Sequence, residues 1–120
     1  LLTKGRLLVI DYGYEARELP RFPLGSLLTF RNHQADADVL ATPGERDITA
    51  HVNFTWLRKA ASAAGLRCRN SSTLSNWVLS IWGEEELQDK WGRADGRWKL
   101  QWKQLVFGLG ETFKVLEFER

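Results

Sequence analysis

The sequence predicts an α/β fold in which strands and helices alternate along one domain. Arg6–Asp11 is a continuous apolar run between glycines, which is typical of a buried strand in a parallel sheet. In Asp47–Phe54, polar and apolar residues alternate strictly, as expected for an extended segment with one dry face. Apolar stripes at helical spacing follow this segment, so helices are predicted between the later strands.

The first half of the chain is predicted to hold short strands joined by loops. Tyr12–Ser26 contains two prolines and two glycines without a regular period, which predicts a long loop. Leu27–Phe30 is a candidate strand, His33–Leu40 is polar, and Thr42–Glu45 has the residues of a tight turn. The alternating segment would carry Ile48, Ala50, Val52 and Phe54 on its dry side, and Asp47, Thr49, His51 and Asn53 on its polar side.

Helices and strands alternate in the second half. Asn53 is placed to cap a helix that Gly65 ends. Strands are expected over Leu66–Arg69 and Phe113–Phe118. Four helices are predicted. The apolar stripe of the first contains Phe54, Leu57, Ala61 and Ala64, and that of the second contains Leu74, Trp77, Val78, Ile81 and Trp82 before Gly83. The third helix is Glu84–Trp91, and the fourth carries Trp98, Trp102, Leu105 and Val106.

The composition is that of an ordinary globular domain. Hydrophobic residues make up 43% of the chain and charged residues 27%, which excludes a disordered chain. The longest apolar run, Leu7–Ile10, is far too short to cross a bilayer, so no membrane role is predicted. The net charge of +2 does not predict a polyanionic partner. The single cysteine, Cys68, fits a reducing compartment.

The chain itself has the features of a piece of a larger protein. It contains no methionine, and Leu1–Gly5 has the pattern of the last turn of a helix. One turn alone would not form a helix, because nucleation is costly. We therefore expect residues 1–120 to form one domain of a longer chain that continues upstream.

Several well-known motifs are absent from the sequence. One cysteine and two histidines give no metal-ligand spacing. The sequence has neither a phosphate-binding loop nor a nucleophile elbow. Gly108–Gly110 is the nearest approach to a dinucleotide-binding loop, but it lacks the third glycine and precedes a strand. The remaining candidates are polar residues near strand ends.

Asp11, Tyr12 and Gly13 form the first candidate group. They follow an apolar strand, and open α/β sheets bind ligands beyond the carboxyl ends of their strands. In the alternative interpretation, Asp11 caps a turn and Gly13 supplies a permissive backbone. Spacing alone favours this alternative.

The second candidate group contains both histidines. His33 and His51 can transfer protons near neutral pH, and His51 would share one polar face with Asp47 and Thr49. In the alternative interpretation, each histidine is a hydrogen-bonded structural residue and the polar face is a solvated edge.

A basic, tryptophan-rich segment runs from Trp91 to Gln104, with four cations and one aspartate. Aromatic residues between cations can bind single-stranded nucleic acid. Trp98 and Trp102 lie four residues apart, however, which favours packing on one helical face, and the low net charge argues against a nucleic-acid partner. The six tryptophans leave a second function open, a non-catalytic module that docks another protein through these helices.

Several segments together resemble the MidA-like methyltransferases, and the most specific is Asp47–Val52, with the sequence Asp-Ile-Thr-Ala-His-Val. Members of this family are S-adenosylmethionine-dependent enzymes. Mitochondrial members assist the assembly of respiratory complex I by methylating a protein arginine. The resemblance also rests on Ile10–Gly13, Gly25–Leu27, His33, Pro43–Phe54 and Gly108–Leu116.

The resemblance implies the C-terminal part of a class I, Rossmann-like methyltransferase sheet with flanking helices. Arg6–Asp11 would be the fifth strand of that sheet, Leu66–Arg69 the sixth and Phe113–Phe118 the last. The cofactor would be S-adenosyl-L-methionine, with its main binding site upstream of this chain. The protein would work in a bacterial cytoplasm or, in a eukaryote, in the mitochondrial matrix.

This part of such an enzyme would face the substrate, a protein side chain such as arginine. Carboxylates would hold its guanidinium by paired hydrogen bonds, and a histidine would accept a proton or orient the substrate. The candidate catalytic residues are Asp11, Asp47, His51 and His33, and the candidate substrate-binding residues are Tyr12, Gly13 and Thr49.

Two positions depart from the family pattern. Asn53 stands where an aspartate is usual, and both residues cap helices. Leu74 follows Thr73 where a glutamine is typical, which puts any substrate contact of that position in doubt. The chain alone is expected to be inactive, and an exposed strand is expected to favour its self-association.

Overall fold

The computed structural model describes residues 3–31, 34–36, 38–40, 42 and 44–120. The chain forms two compact units. The first contains Leu1–Tyr12 and Arg58–Arg120, and the second contains Gly13–Leu57. In the described part of the chain, no helix is both long enough and apolar enough to cross a membrane.

The first unit is built on three antiparallel strands. β7 (Phe113–Glu119) lies in the middle, between β1 (Arg6–Tyr14) and β6 (Arg67–Thr73). Because β7 has a neighbour on each side, its apolar side chains form the core of the unit. Val115, Leu116 and Phe118 are at most 1% exposed.

The pairing of β1 differs from the prediction of a buried parallel strand. From Arg6 to Tyr12 the strand runs antiparallel to β7. Leu7, Leu8 and Ile10 are each about two-fifths exposed, with exposed fractions of 41%, 44% and 42%. The apolar run was predicted correctly as a strand. The prediction of burial was wrong, because in the described chain β7 is the one strand that pairs with these residues.

Helices occupy most of the chain between β6 and β7. The predicted apolar stripes fall on α2 (Leu74–Ile81), α3 (Glu84–Arg93) and α4 (Gly96–Gln104). A π-helical turn continues α4 over Leu105–Leu109, and the short α5 (Gly110–Thr112) leads into β7. Two caps fix the helix starts: the side chain of Thr73 accepts from the Asn76 amide, and that of Asp95 accepts from the Trp98 amide.

The helix α1 (Phe54–Ala63) begins and ends where the sequence predicts. The backbone amide of Trp56 donates to Asn53 Oδ1 at 3.0 Å, which is the expected N-terminal cap. At the other end, Gly65 has a φ of 79°, a left-handed conformation that favours glycine. β6 starts two residues later and is longer than predicted.

The second unit contains an antiparallel sheet of three short strands, with β2 (Leu28–Arg31) between β3 (Gln34–Asp36) and β4 (Asp47–Thr49). The predicted turn is present before β4, where the Glu45 amide donates to the Thr42 carbonyl. In the same unit, the last two residues of β1 run parallel to β5 (Val52–Asn53).

Two predictions for this unit need correction. The predicted loop Tyr12–Ser26 holds the end of β1 and a 3₁₀ helix over Ala16–Arg21, which Glu15 and Glu18 stabilise through a reciprocal capping box. The extended segment Asp47–Phe54 breaks after Thr49, because β4 and β5 pair with different strands. Its two halves therefore do not share one dry face, and Ile48 is 61% exposed.

Candidate functional site

A row of three polar residues crosses the sheet of the first unit near the carboxyl ends of β1 and β6. Lys114 on β7 lies opposite Asp11 on β1 and, on its other side, opposite Thr73 on β6. Residues that face each other on neighbouring strands project from the same face of a sheet. We call Asp11, Lys114 and Thr73 the carboxyl-end row.

Asp11 is the half-buried carboxylate of this row. Its Oδ1 accepts a hydrogen bond from the Tyr12 amide at 2.8 Å. Within the described residues it forms no ion pair, so Oδ2 can accept hydrogen bonds from a bound cation. The ring of Tyr12 packs edge-on against Phe113, with ring centroids 5.5 Å apart. The strand was predicted to end at Asp11, but β1 continues to Tyr14, and the structure gives Tyr12 a clear packing role.

A hydrogen-bonded network continues the row beyond Thr73. The hydroxyls of Thr73 and Ser75 lie 3.1 Å apart, and Ser75 Oγ donates to Glu111 Oε1. Ser75 is only 2% exposed, whereas Glu111 is exposed, so this network connects the packed interior to the surface. The sequence prediction did not include Ser75, Lys114 or Glu111 in the site. The signal was present in the family-like Gly108–Leu116 segment, which contains two of them.

In the second unit, His51 is part of a row of three rings. Its imidazole lies against Phe22, and Phe22 lies against Tyr14, with centroid distances of 5.1 Å in both pairs. The backbone amide of His51 donates to Ser26 Oγ at 3.1 Å. The ring is half-buried, so its position is defined by packing while part of its surface stays open to solvent. We call Tyr14, Phe22 and His51 the aromatic row.

Gly13 has a structural role that its place in the Asp-Tyr-Gly segment did not reveal. A Cβ atom at this position would overlap the carbonyl oxygen of Val52, and it would lie 2.7 Å from the carbonyl carbon. Only glycine therefore allows β1 and β5 to approach this closely. Glycine is needed here for the close approach of Val52 and not for a positive φ.

Asp47 and Thr49 lie on β4, outside the aromatic row. Asp47 is exposed and lines a polar cleft of about 520 Å³ together with Phe30, Arg31, Glu45 and neighbouring residues. Arg31 forms an ion pair with Glu45 across this cleft at 3.2 Å. Thr49 is half-buried on the same strand as Asp47. His33 lies outside the described residues.

The opposite end of the first sheet is a second charged region. Glu119 accepts a hydrogen bond from Arg67 and lies 3.4 Å from Arg69 Nε. The hydrogen bond from Arg67 is the main reason that the pKa of Glu119 is lowered from 4.5, and the charges of Arg67, Arg69 and Arg6 act in the same direction. Partial desolvation opposes this shift.

The strand-to-helix junctions of the described chain do not provide a nucleotide cradle. α1 follows β5 at Asn53 and Phe54, and α2 follows β6 at Thr73 and Leu74. Neither junction has the glycine-rich turn whose backbone amides hold a nucleotide cofactor. No group of three potential metal ligands occurs among the described residues. The polar side chains of the two rows and the cleft are mainly carboxylate, hydroxyl and imidazole groups.

The first 72 residues match the model of a protein family described as "Putative S-adenosyl-L-methionine-dependent methyltransferase". The chain belongs to this family. The match covers β1, the three-stranded sheet, α1 and nearly all of β6, and it ends before α2. It therefore includes all seven predicted site residues, and it confirms the resemblance to the MidA-like methyltransferases.

Two relatives of this methyltransferase-family chain share part of its sequence. "Protein arginine methyltransferase NDUFAF7, mitochondrial" from Danio rerio is 40% identical over 57 residues, which are 48% of this chain and 12% of that protein. The protein of the same name from Homo sapiens is 40% identical over 60 residues, which are 50% of this chain and 12% of that protein. The matched segment is therefore a small share of either relative.

Solved structures extend the likeness to nearly the whole chain. A "likely methyl transferase" from Burkholderia thailandensis, bound to S-adenosyl-homocysteine, has a TM-score of 0.73 and 26% sequence identity. The likeness covers 97% of this chain and 32% of that one. A second structure of an uncharacterized protein from the same organism gives a TM-score of 0.74 and covers 98% and 33%. These likenesses confirm the α/β, Rossmann-like fold class, and this chain spans about a third of either structure.

Proposed function

We propose that the protein containing this chain transfers a methyl group from S-adenosyl-L-methionine to a protein arginine. Family membership supports the methyl transfer, and the names of the relatives support arginine as the acceptor. The observation that carries the assignment to this chain is the half-buried Asp11 in the second half of β1, near the carboxyl end at which open α/β sheets bind their ligands.

Asp11 holds the substrate guanidinium in this proposal. A guanidinium presents a planar set of N–H donors, and a carboxylate accepts from them with short, charge-assisted hydrogen bonds. Oδ1 already accepts from the Tyr12 amide, which fixes the orientation of the carboxylate. Oδ2 is then the acceptor for the substrate. Holding the nitrogen in line with the methyl donor supplies much of the rate in such a reaction.

The remaining candidates have supporting roles. His51 or His33 accepts the proton that the attacking nitrogen loses, or orients that nitrogen. The packing of His51 against Phe22 supports this role, because a fixed ring keeps a proton acceptor in one orientation. Asp47 is the alternative carboxylate for the guanidinium. Tyr12, Gly13 and Thr49 line the substrate side.

We further propose that residues 1–120 are the C-terminal, substrate-side part of a longer enzyme. The chain covers about a third of each similar structure, and its strand-to-helix junctions lack a cofactor cradle. The cofactor is then held mainly by residues upstream of Leu1. The exposed thiol of Cys68 fits a reducing compartment such as a bacterial cytoplasm or a mitochondrial matrix.

The test is a methylation assay of the longer protein that contains this chain. S-adenosyl-L-methionine labelled in its methyl group is incubated with the enzyme and an arginine-containing protein substrate, and methylarginine is measured by mass spectrometry. Asp11→Asn removes a charge-assisted hydrogen bond and should lower the rate about ten- to a hundredfold. His51→Ala should lower it by roughly a hundredfold.

The matched control is Asp89→Asn. Asp89 lies on α3, where its exposed carboxylate pairs with Arg93 at 2.8 Å, so the same chemical change should leave the rate unaltered. If Asp11→Asn and His51→Ala were as active as the wild type, neither residue would belong to the mechanism. Methylation of a lysine in place of arginine would overturn the assignment of the acceptor.

A further inference from the structure

The helices between β6 and β7 enclose an apolar groove of about 570 Å³. α2 and α3 form one part of its wall, and α4 with the π-helical turn forms the other. We call it the helical groove, and its apolar wall consists of Leu79, Leu87, Trp91, Trp102, Val106 and Phe107.

The groove combines a firm base with exposed apolar edges. The ring of Trp102 is almost parallel to those of Trp82 and Trp98, at centroid distances of 4.8 and 5.5 Å, so the aromatic base is held by its own neighbours. At the edges, Phe107 is 77% exposed and Leu79 is 38% exposed. A rigid apolar groove with an exposed aromatic residue at its edge is typical of a protein-binding site.

Two lysines without ion pairs follow one side of this groove. Lys99 and Lys103 lie four residues apart on α4, and residues at this spacing share one helical face. Lys103 lines the groove, and Lys99 Nζ lies 5.7 Å from the centroid of Trp91. Neither lysine pairs with a carboxylate in the part of the chain that the structure describes.

The cations of α3 differ in this respect. Lys90 pairs with Glu86 at 3.8 Å, and Arg93 pairs with Asp89 at 2.8 Å. α3 carries four carboxylates and two cations, a net charge of −2, while α4, within the described chain, keeps Lys99 and Lys103 unpaired beside an apolar surface. An apolar face with carboxylates along one flank would complement this surface.

We propose that the helical groove docks an amphipathic helix of another protein, with its apolar face in the groove and an acidic flank along Lys99 and Lys103. The inference does not rest on the proposed methyl transfer. The family match ends at residue 72, before the groove begins, so the groove belongs to the part of the chain that the match does not cover. The proposed occupant is a helical segment of a partner protein. An apolar groove between helices accepts the apolar face of an amphipathic helix, whose anchoring side chains recur at helical spacing.

The test measures binding of a defined peptide to the 120-residue chain. The probe is an amphipathic helix of roughly 14 residues, about four turns, with leucines at positions i, i+3, i+4 and i+7. Its flank along α4 carries glutamates, and its other flank carries uncharged polar residues. It contains no tryptophan, so the fluorescence of Trp91 and Trp102 reports its binding. A second peptide carries lysine in place of each glutamate.

The proposal predicts that the acidic peptide binds and the basic peptide binds at least about tenfold more weakly. The double variant Lys99→Glu with Lys103→Glu should reverse this preference. Phe107→Ala should weaken binding of the acidic peptide about tenfold, and its exposed position makes the variant safe for folding. Lys59→Glu, at an exposed position of α1, is the matched control and should change nothing.

Several results would overturn the proposal. Equal binding of the two peptides would show that the lysines do not select the partner. If the acidic peptide bound the Phe107→Ala variant as tightly as the wild type, its binding site would lie outside the groove. Self-association that disappears in Phe107→Ala, measured by sedimentation, would show that the occupant is a second copy of this chain. The melting temperature of each variant should equal that of the wild type, so that a change in binding is not caused by unfolding.

Discussion

The two glycines of the Gly108-Leu109-Gly110 segment should respond oppositely to the same substitution. A Cβ atom on Gly110 would lie 2.5 Å from the Leu105 carbonyl oxygen and 2.8 Å from Ser75 Cβ. A Cβ atom on Gly108 would meet nothing within 4 Å. Gly110→Ala should therefore destabilise the first unit, and Gly108→Ala should not.

The magnitude follows from the contacts. Carbon atoms pack at about 3.5–4.0 Å, so Ser75 would have to move by roughly 0.7 Å or more. Such overpacking typically costs about 1–3 kcal/mol. The shift would also strain the part-buried hydrogen bond from Ser75 to Glu111, and leaving the buried Ser75 hydroxyl without this partner costs about 1–3 kcal/mol. We expect Gly110→Ala to lower the free energy of unfolding by about 3 kcal/mol.

Urea unfolding followed by tryptophan fluorescence measures this change. Five of the six tryptophans lie in the first unit, so the signal reports mainly on it. Gly108→Ala should be neutral or up to about 1 kcal/mol more stable than the wild type, because alanine favours helix. Equal stability of the two variants would refute the reasoning from close packing.

Three further predictions concern stability. Gly13→Ala should cost about 1–3 kcal/mol in chemical unfolding monitored by circular dichroism, because its methyl group would overlap the Val52 backbone; an unchanged midpoint would contradict this. Asn53→Ala should cost about 1 kcal/mol by removing the cap of α1, while Asn53→Asp should stay close to the wild type in the same assay. The pKa of Glu119 is lowered in the folded chain, so its ionised carboxylate stabilises the fold. This stabilisation is complete above pH 4.5 and is lost as the pH falls through the lower pKa of the folded state. Glu119→Gln, which also removes the interaction with Arg67, should thus be less stable at neutral pH and should approach the wild type in acid; a constant difference would contradict this.

The local elements were predicted well from the sequence because their signals are local. Asn53 and Gly65 delimit α1, since a cap and a left-handed glycine act within a few residues of the helix end. The apolar stripes of the later helices and the closing strand are likewise local patterns. The structure bears out each of these predictions.

The pairing of the strands could not be predicted in the same way. The apolar run of β1 is equally compatible with parallel and antiparallel neighbours, and its partner β7 begins about a hundred residues later in the chain. The alternation in Asp47–Phe54 also continues across the point where the chain changes from one pairing to another. Periodicity describes a segment and contains no information about its neighbour.

Parts of the candidate site depend on such distant contacts. Ser75 donates to Glu111 across 36 residues of sequence, and Phe22 packs against His51 from within a predicted loop. The sequence placed Asp11 correctly after the apolar run, since the end of such a run is a local signal, but β1 continues for three residues beyond it. It did not reveal that Gly13 is required by the nearby backbone of Val52.

The central claim is that this chain supplies acceptor-side residues while the cofactor is held mainly elsewhere. Isothermal titration calorimetry of the 120-residue chain with S-adenosyl-L-methionine tests it most directly. The claim predicts no binding in the micromolar range, because the strand-to-helix junctions at Asn53 and Thr73 lack a glycine-rich turn. The longer protein that contains the chain should bind the cofactor under the same conditions. Micromolar binding by the 120 residues alone would contradict the claim and would place the cofactor site within this chain.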